Sequence, residues 1–369
     1  MGTSQIFISA GEPSGDNAGS LLLSALKSKR RDISFFGLGG KRMFKEGQEQ
    51  LVESARLAVM GFWEVAGHFS FFRKLLHQSL DEIKKRRPRC VILIDYPGFN
   101  LRLARKVKEL GIPVIYYISP QVWAWGHQRV AEIKANVEKL IVILPFEKEF
   151  YQKQGMESDF VGHYLLEDIP PEYISSSIPA HGHLALLPGS RPQEIKRLLP
   201  PMLDAAVRFN KEYGTKAVVA GVSGVYEYDS VLKATGGESV SIACDNPRKV
   251  IFESSLVLTK SGTATLESAI IGRPMMVAYK TSFISYLIAR KLIKLDKIAL
   301  VNLVLGKKIV SELIQNDANA DNMYFELKKL RDNKEYFGNI KRELDMVPNV
   351  LGGAGASGRA AEIILKYIN

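Results

Sequence analysis

Long apolar runs are missing from this sequence. Nothing in it approaches the roughly 20 consecutive apolar residues that a membrane-spanning helix needs. Cysteine is scarce. Cys90 and Cys244 are the only two in 369 residues, and both lie in or beside strand-like stretches. They read as buried free thiols of a reducing compartment and not as a disulfide framework. The opening stretch MGTSQIFISAGE has no basic segment followed by an apolar core, so no signal peptide is expected. Ile6 also stands where an N-myristoylation pattern needs Ser or Thr. No Asp-x-Asp occurs, which removes the usual short acidic motif for a nucleotide-bound metal. No Walker-type phosphate loop occurs either, and no metal or cofactor is expected.

What is present is basic. Lysine and arginine number 50 and aspartate and glutamate 39, a formal charge of +11. Such a surface suits phosphate-rich partners, whether nucleotide, nucleic acid or anionic membrane, and does not choose among them. Hydrophobic residues at 46% and charged residues at 24% are those of an ordinary globular protein. A length of 369 residues exceeds one ordinary core and predicts two domains.

Short apolar runs recur at 5–10, 33–39, 90–95, 114–119, 140–145 and 159–162. Most are rich in Ile and Val and do not alternate, the pattern of strands buried on both faces. Helical spacing lies between them, as in Leu21-Leu22-Leu26 and Leu101-Ala104-Val107. A Pro- and Ser-rich stretch, 166–183, reads as a linker. The pattern then restarts at 183–189, 217–222, 239–243, 255–262 and 274–280, with a helical tail from about 323. This predicts an α/β protein of two Rossmann-like, doubly wound domains facing a cleft. Ligands of such sheets collect at the carboxyl ends of strands, so the residues after each strand are the candidates.

After the first strand comes Ser9-Ala10-Gly11-Glu12-Pro13-Ser14-Gly15-Asp16. Its glycines permit a tight turn into a helix, and it is either a plain turn or a holder of phosphate or sugar. Asp95 ends an otherwise apolar strand, where a carboxylate is costly without partners and well placed to take a proton from a hydroxyl. A helix cap is the alternative. Trp123, in the loop 119–125, suits stacking on a sugar or plugging a contact between domains. Glu12, Ser14, Gly15, Asn100 and Trp123 are therefore candidate residues of the cleft. In the second half, Leu187-Pro188-Gly189-Ser190-Arg191 and Ser261-Gly262-Thr263-Ala264-Thr265-Leu266-Glu267 open two strand-to-helix turns. Free N–H groups at such turns favour an anion. Arg191 would add charge, and Glu267, one turn into its helix, could accept a ribose hydroxyl pair.

One surface is unusually greasy. Phe62, Val65, Phe69, Phe72 and Leu76 fall on one helical stripe, which Trp63, Phe71 and Leu75 widen. Lys84, Lys85, Arg86, Arg87 and Arg89 follow. This combination predicts contact with an anionic membrane by Phe62, Trp63, Val65, Phe69, Phe72, Leu75 and Leu76. Core packing with a solvated basic face is the alternative.

Taken together these stretches resemble the lipid-A-disaccharide synthase family, two-domain glycosyltransferases of the GT-B type. The resemblance rests on AGEPSGD (10–16), AVMGFWEV (58–65), IDYPGFN (94–100), ISPQVWAWGHQRV (118–130), LPFEKEFY (144–151), FVGHYL (160–165), LLPGSRPQEI (186–195) and SGTATLE (261–267), in the family's order. It implies a reaction at the cytoplasmic face of the bacterial inner membrane. UDP-2,3-diacylglucosamine would donate its sugar, with inversion, to the 6-hydroxyl of 2,3-diacylglucosamine 1-phosphate. The products would be a β-1,6 disaccharide 1-phosphate and UDP. It implies no nucleic-acid partner and leaves a homodimer open. Asp95 matches the family's base. Ser190, Arg191, Gly262, Thr263 and Glu267 match its UDP side, with Asn302 and Gln315 near the nucleotide. The implied domains are 1–170, facing acceptor and membrane and rejoined by a C-terminal helix at 350–369, and 180–345, binding the UDP-sugar. Gly98, Tyr164 and Val301 depart from the family's pattern, which often has a second aspartate, a proline and a proline there. Other GT-B proteins, such as a UDP-sugar epimerase or a peptidoglycan transferase, and a non-catalytic lipid binder are the competing readings. The greasy surface argues against the first two, and Asp95 with Arg191 against the last.

Overall fold

The computed structural model describes residues 4–52, 69–124, 126, 128–234, 239–282, 286 and 296–368. The chain forms two units. One comprises Met1–Asp168 and Leu351–Asn369, the other Ile169–Val350.

The first unit holds seven strands: β1 (Ser4–Ala10), β2 (Ile33–Leu38), β3 (Gln48–Gln50), β4 (Cys90–Ile94), β5 (Val114–Tyr117), β6 (Lys139–Val142) and β7 (Asp159–Phe160). All pair in parallel, in the order β3-β2-β1-β4-β5-β6-β7. Helices on both faces bury the central strands, so Ile6, Phe7 and Ile8 and the run Cys90–Ile94 are fully enclosed. The chain leaves β1 toward β2 on one side and later returns through β4 on the other. That reversal is a topological switch point, where two crossovers diverge and leave a crevice at the strands' carboxyl ends. Helix Pro13–Lys29 starts at this crevice with proline in its first turn and buries Ala18, Leu22, Leu23 and Leu26. Helix Ala356–Leu365 packs against it. Lys29 Nζ lies 2.7 Å from Glu362, and Arg359 Nε donates to the Val161 carbonyl at 2.7 Å.

The second unit holds β8 (His183–Leu187), β9 (Ala217–Gly221), β10 (Val240–Cys244), β11 (Ser254–Lys260), β12 (Met275–Tyr279) and β13 (Glu312–Ile314). These too are parallel, ordered β10-β9-β8-β11-β12-β13, with the switch point between β8 and β11.

Cys244, read as a buried thiol, is exposed at the end of the edge strand β10. Three further findings differ from the sequence reading. Strands β3 and β13 were not anticipated, because each is a three-residue edge strand with polar residues. The stretch read as a linker, 166–183, is largely bound to the second unit. Tyr173 stacks on Phe252 at 4.0 Å, and Ser175 N donates to Ile270 O at 2.8 Å. The fully buried Arg273 donates to Ser176 O at 3.0 Å and Phe252 O at 2.6 Å, and burial lowers its pKa to about 10. The third concerns the greasy stripe. Phe62, Trp63 and Val65 lie outside the described residues, as does the side chain of Phe69. Leu75, however, is a core residue at 2% exposure, not a lipid contact. Phe71, Phe72 and Leu76 are partly buried against the same core. Helix Phe69–Arg86 spends these side chains on the sheet and on Tyr96, whose ring lies 6.3 Å from that of Phe72. In the basic cluster, Arg86 bonds Glu49 and Glu82 and lies over the Phe36 ring, while Lys84, Lys85, Arg87 and Arg89 are exposed.

Candidate active site

In the first unit the sheet registers align Ala10 with Ile94, Ile94 with Tyr117 and Tyr117 with Ile141. The residues that follow these strands therefore converge at the switch point. Asp95 is among them, half-buried, with φ 45°. Tyr96 follows with φ 50°. Left-handed backbone at two successive non-glycine residues is strained and persists only where neighbours enforce it. Here the enforcement is explicit. The Asp95 carbonyl accepts from Tyr116 Oη at 2.6 Å and Asn100 Nδ2 at 2.8 Å. Asn100 also donates to Ile94 O at 3.1 Å and accepts from Ser9 Oγ at 2.7 Å. The Tyr96 ring stacks on Phe99 at 5.8 Å and covers Gly11, where a Cβ would come within 2.4 Å of that ring.

Asp95 is thereby held at the strand end with its pKa pushed up to about 7. Burial is the main cause, followed by the nearby carboxylate of Glu12, with a further contribution from Glu147. Glu147 is itself buried, and burial raises it to about 7 as well. Its Oε1 accepts from Ser119 Oγ at 2.7 Å and Trp123 Nε1 at 3.2 Å. Its Oε2 accepts from Ile143 N at 3.2 Å and Leu144 N at 2.9 Å. One carboxylate thus ties the loop after β5 to the turn after β6.

In the second unit the registers align Leu187 with Thr259, Lys260 with Ala278 and Tyr279 with Ile314. Ser190, Arg191 and Thr263 are exposed at these ends. Arg191 caps helix Pro192–Tyr213 in extended backbone, with its guanidinium 3.9 Å from Glu194. Glu194 Oε1 also lies 3.0 Å from Lys260 Nζ. Gly262 has φ 155°, which a side chain would strain, and leads into helix Thr263–Ile271. Glu267 is partly buried and ion-paired with Arg248 at 2.8 Å.

Several candidates prove to be supports. Asn302 is fully buried. Its amide donates to Val310 O at 3.0 Å and Glu312 Oε1 at 2.7 Å, and its carbonyl accepts from Ile309 N at 2.8 Å and Val310 N at 3.0 Å. With four bonds made inside the protein, it shapes its loop and has no side-chain donor left for a nucleotide. Gln315 grips the backbone of Thr281 in both directions, at 2.7 and 3.3 Å. Asn100, expected in the cleft, is enclosed and holds Asp95. Trp123 is 8% exposed with its N–H spent on Glu147, so it offers little ring to a sugar. Gly15 is a packing glycine, where a Cβ would lie 3.3 Å from that of Ala10. Glu12 and Ser14 remain half-exposed at the crevice. Among the described residues no group of three or more His, Cys, Asp or Glu side chains is placed to hold a metal ion.

The family model described as lipid-A-disaccharide synthetase matches residues 6–349. The curated lipid-A-disaccharide synthase of Anaeromyxobacter dehalogenans (strain 2CP-1) is 39% identical over 98% of this chain and 97% of its own length. That of Geobacter sulfurreducens is 37% identical over 99% and 97%. The chain belongs to the lipid-A-disaccharide synthase family. It is accordingly an enzyme, a glycosyltransferase of lipid A biosynthesis. Among solved structures, the UDP-GlcNAc 2-epimerase of Neisseria meningitidis bound to UDP-GlcNAc superposes with a TM-score of 0.67 at 12% identity, covering 99% of this chain and all of that one. The calicheamicin glycosyltransferase CalG4 gives 0.60 at 14%, covering 100% and 99%. These likenesses carry the fold, two parallel-sheet α/β domains of the GT-B kind.

As a lipid-A-disaccharide synthase family member the chain shows what the motifs are for. Asp16 of AGEPSGD accepts from Gly40 N at 2.9 Å, Arg42 N at 3.0 Å and Met43 N at 2.9 Å, so it fastens the loop after β2. The sequence reading passed over Glu147, Glu194, Lys260 and Arg248. A signal existed for two of them. Leu144-Pro145-Phe146-Glu147 and Arg191-Pro192-Gln193-Glu194 share a cap, proline, any residue, glutamate spacing. That spacing places the acid at the third helical position, where it can meet the helix's free N–H groups.

Proposed function

We propose that this synthase transfers 2,3-diacylglucosamine from UDP to the 6-hydroxyl of 2,3-diacylglucosamine 1-phosphate, with inversion at the anomeric carbon, while peripheral to an anionic membrane. The observation that carries the reading is Asp95, a carboxylate held by strained backbone at the switch point with a pKa near 7. A general base works best when its pKa lies close to the operating pH. Asp95 would take the hydroxyl proton as that oxygen forms its bond to the anomeric carbon. The bond to the diphosphate breaks on the opposite face, and UDP leaves with the electron pair. Arg191 and the N–H groups at Gly262–Thr263 are suited to the charge that develops on the diphosphate. Glu267, steadied by Arg248, is suited to the ribose hydroxyls.

The base must be ionised to act, so kcat/KM should climb as pH rises through about 7. Asp95→Asn should keep the side chain's shape and UDP affinity and lose turnover by ~1,000-fold or more, since proton removal and its orientation are both lost. Disaccharide and UDP formation from the two acylated substrates in detergent, with and without added Mg²⁺, measures this. Full activity in Asp95→Asn, or no product from the wild type under either condition, would sink the proposal.

A further inference from the structure

Lys260 stands in an electrostatically awkward place. It is the final residue of β11, two positions before Gly262 and three before Thr263, where helix Thr263–Ile271 begins. A Cβ on Gly262 would lie 3.7 Å from the Lys260 ammonium, so that ammonium hangs over the turn feeding the helix. A helix N-terminus carries partial positive charge and favours anions. A cation there is disfavoured unless an anion joins it.

One anion is built in. Glu194 Oε1 sits 3.0 Å from Lys260 and 3.9 Å from Arg191. The depths of the three groups are telling. The side chains of Glu194, Lys260 and Arg191 are 17%, 23% and 45% exposed. The carboxylate lies innermost, tucked against Gly189, where a Cβ would be 2.5 Å from Glu194 Oε2. Glycine at that position lets the acid reach under both cations. Held from below by Glu194, the Lys260 ammonium can direct its other N–H donors to a ligand arriving from outside. Tyr279, at the end of β12, feels both Glu194 and Arg191, so the cluster spans three adjacent strand ends. Two cations and two helix N-termini around one recessed carboxylate suit a ligand with more than one negative charge.

We infer that Lys260 is a second diphosphate-binding cation, acting beside Arg191 on the departing diphosphate, with Glu194 as the residue that positions it. This rests on reading the second unit as the UDP-sugar side. A lysine is a compact point charge with three donors and suits a phosphate whose charge grows as the sugar bond breaks.

The test uses the full chain and calorimetric titration with UDP, UMP and uridine. Lys260→Met should weaken UDP about tenfold, the worth of one charge-assisted hydrogen bond, and leave uridine within about twofold. UMP should fall between them. Lys260→Arg should restore most of the UDP affinity, which a purely structural role for the stem would not require. Lys260→Gln keeps a donor without charge and carries the same expectation if the Met variant melts early by circular dichroism. UDP affinity unchanged in these variants, equal losses for UDP and uridine, or a wild type that binds no UDP overturns the assignment. A wild type that binds UDP through Lys260 yet forms no disaccharide would instead sink the proposed reaction and leave Lys260 in its role.

Discussion

Glu147 shows how much one side chain can organise. It receives four donors from two loops, and burial still holds its pKa near 7. Asp95 is raised to about the same value. Both carboxyls bind a proton more tightly when folded than when unfolded. Their stabilising contribution is complete below the unfolded range of about 4 and is lost as pH rises through about 7. Glu147→Gln removes one such group and turns one of its two acceptor oxygens into an NH2 donor that faces other donors. The thermal midpoint should drop overall and fall less steeply between pH 5 and 8 than in the wild type, as scanning calorimetry can measure. An unchanged slope would show that Glu147 does not titrate there. At this scale the sequence was partly legible. A carboxylate ending the apolar run Cys90–Ile94 is conspicuous, which is why Asp95 stood out. Asn302 came from resemblance, and a motif does not distinguish a residue that touches ligand from one that shapes the loop beside it.

Helix Phe69–Arg86 is the element on which sequence and structure part. Large aromatics on more than one side predicted lipid contact. Among the described residues, Phe71, Phe72 and Leu75 pack on the core instead, because the left-handed turn at Asp95-Tyr96 throws the Tyr96 ring toward the helix and Phe72 meets it. Periodicity cannot foresee a ring projected by a strained turn elsewhere in the chain. Leu75→Ala should destabilise by about 2–5 kcal/mol, as for other enclosed leucines. Urea unfolding together with flotation on anionic vesicles checks this. Unaltered stability with lost vesicle binding would restore the lipid-facing reading. The strands divide in the same way. Central ones were legible as unbroken apolar runs because both faces are covered. β3 and β13 were not, since three residues carry no pattern and the burial of Gln48 depends on carbonyls of Ile8 and Leu38 that only the folded sheet supplies.

At the scale of the molecule, two α/β units were legible from the restart of the strand pattern, and the attachment of the intervening segment was not. Residues 169–182 are held by Arg273 and Phe252, contacts between positions 97 and 79 apart. The return of Ala356–Leu365 to the first unit makes a separate prediction. Ala360 is fully enclosed in that helix, so Ala360→Asp would bury an unpaired charge and cost several kcal/mol. Hydrogen exchange should quicken in β1 and in helix Pro13–Lys29 while β8 keeps its protection. Equal loosening of both sheets would contradict this.

The same return has a consequence for synthesis. The first sheet emerges from the ribosome within residues 4–160, but the helix that covers its first crossover follows residues 169–350. At 5–20 residues per second those intervening residues take roughly 10–40 s to make. For that interval the nascent first domain has an uncovered apolar flank on helix Pro13–Lys29. The second domain, contiguous in sequence, has all its strands to hand and can complete itself first. Completion of the second domain need not wait for the C-terminal helix, whereas completion of the first domain, made earlier, must.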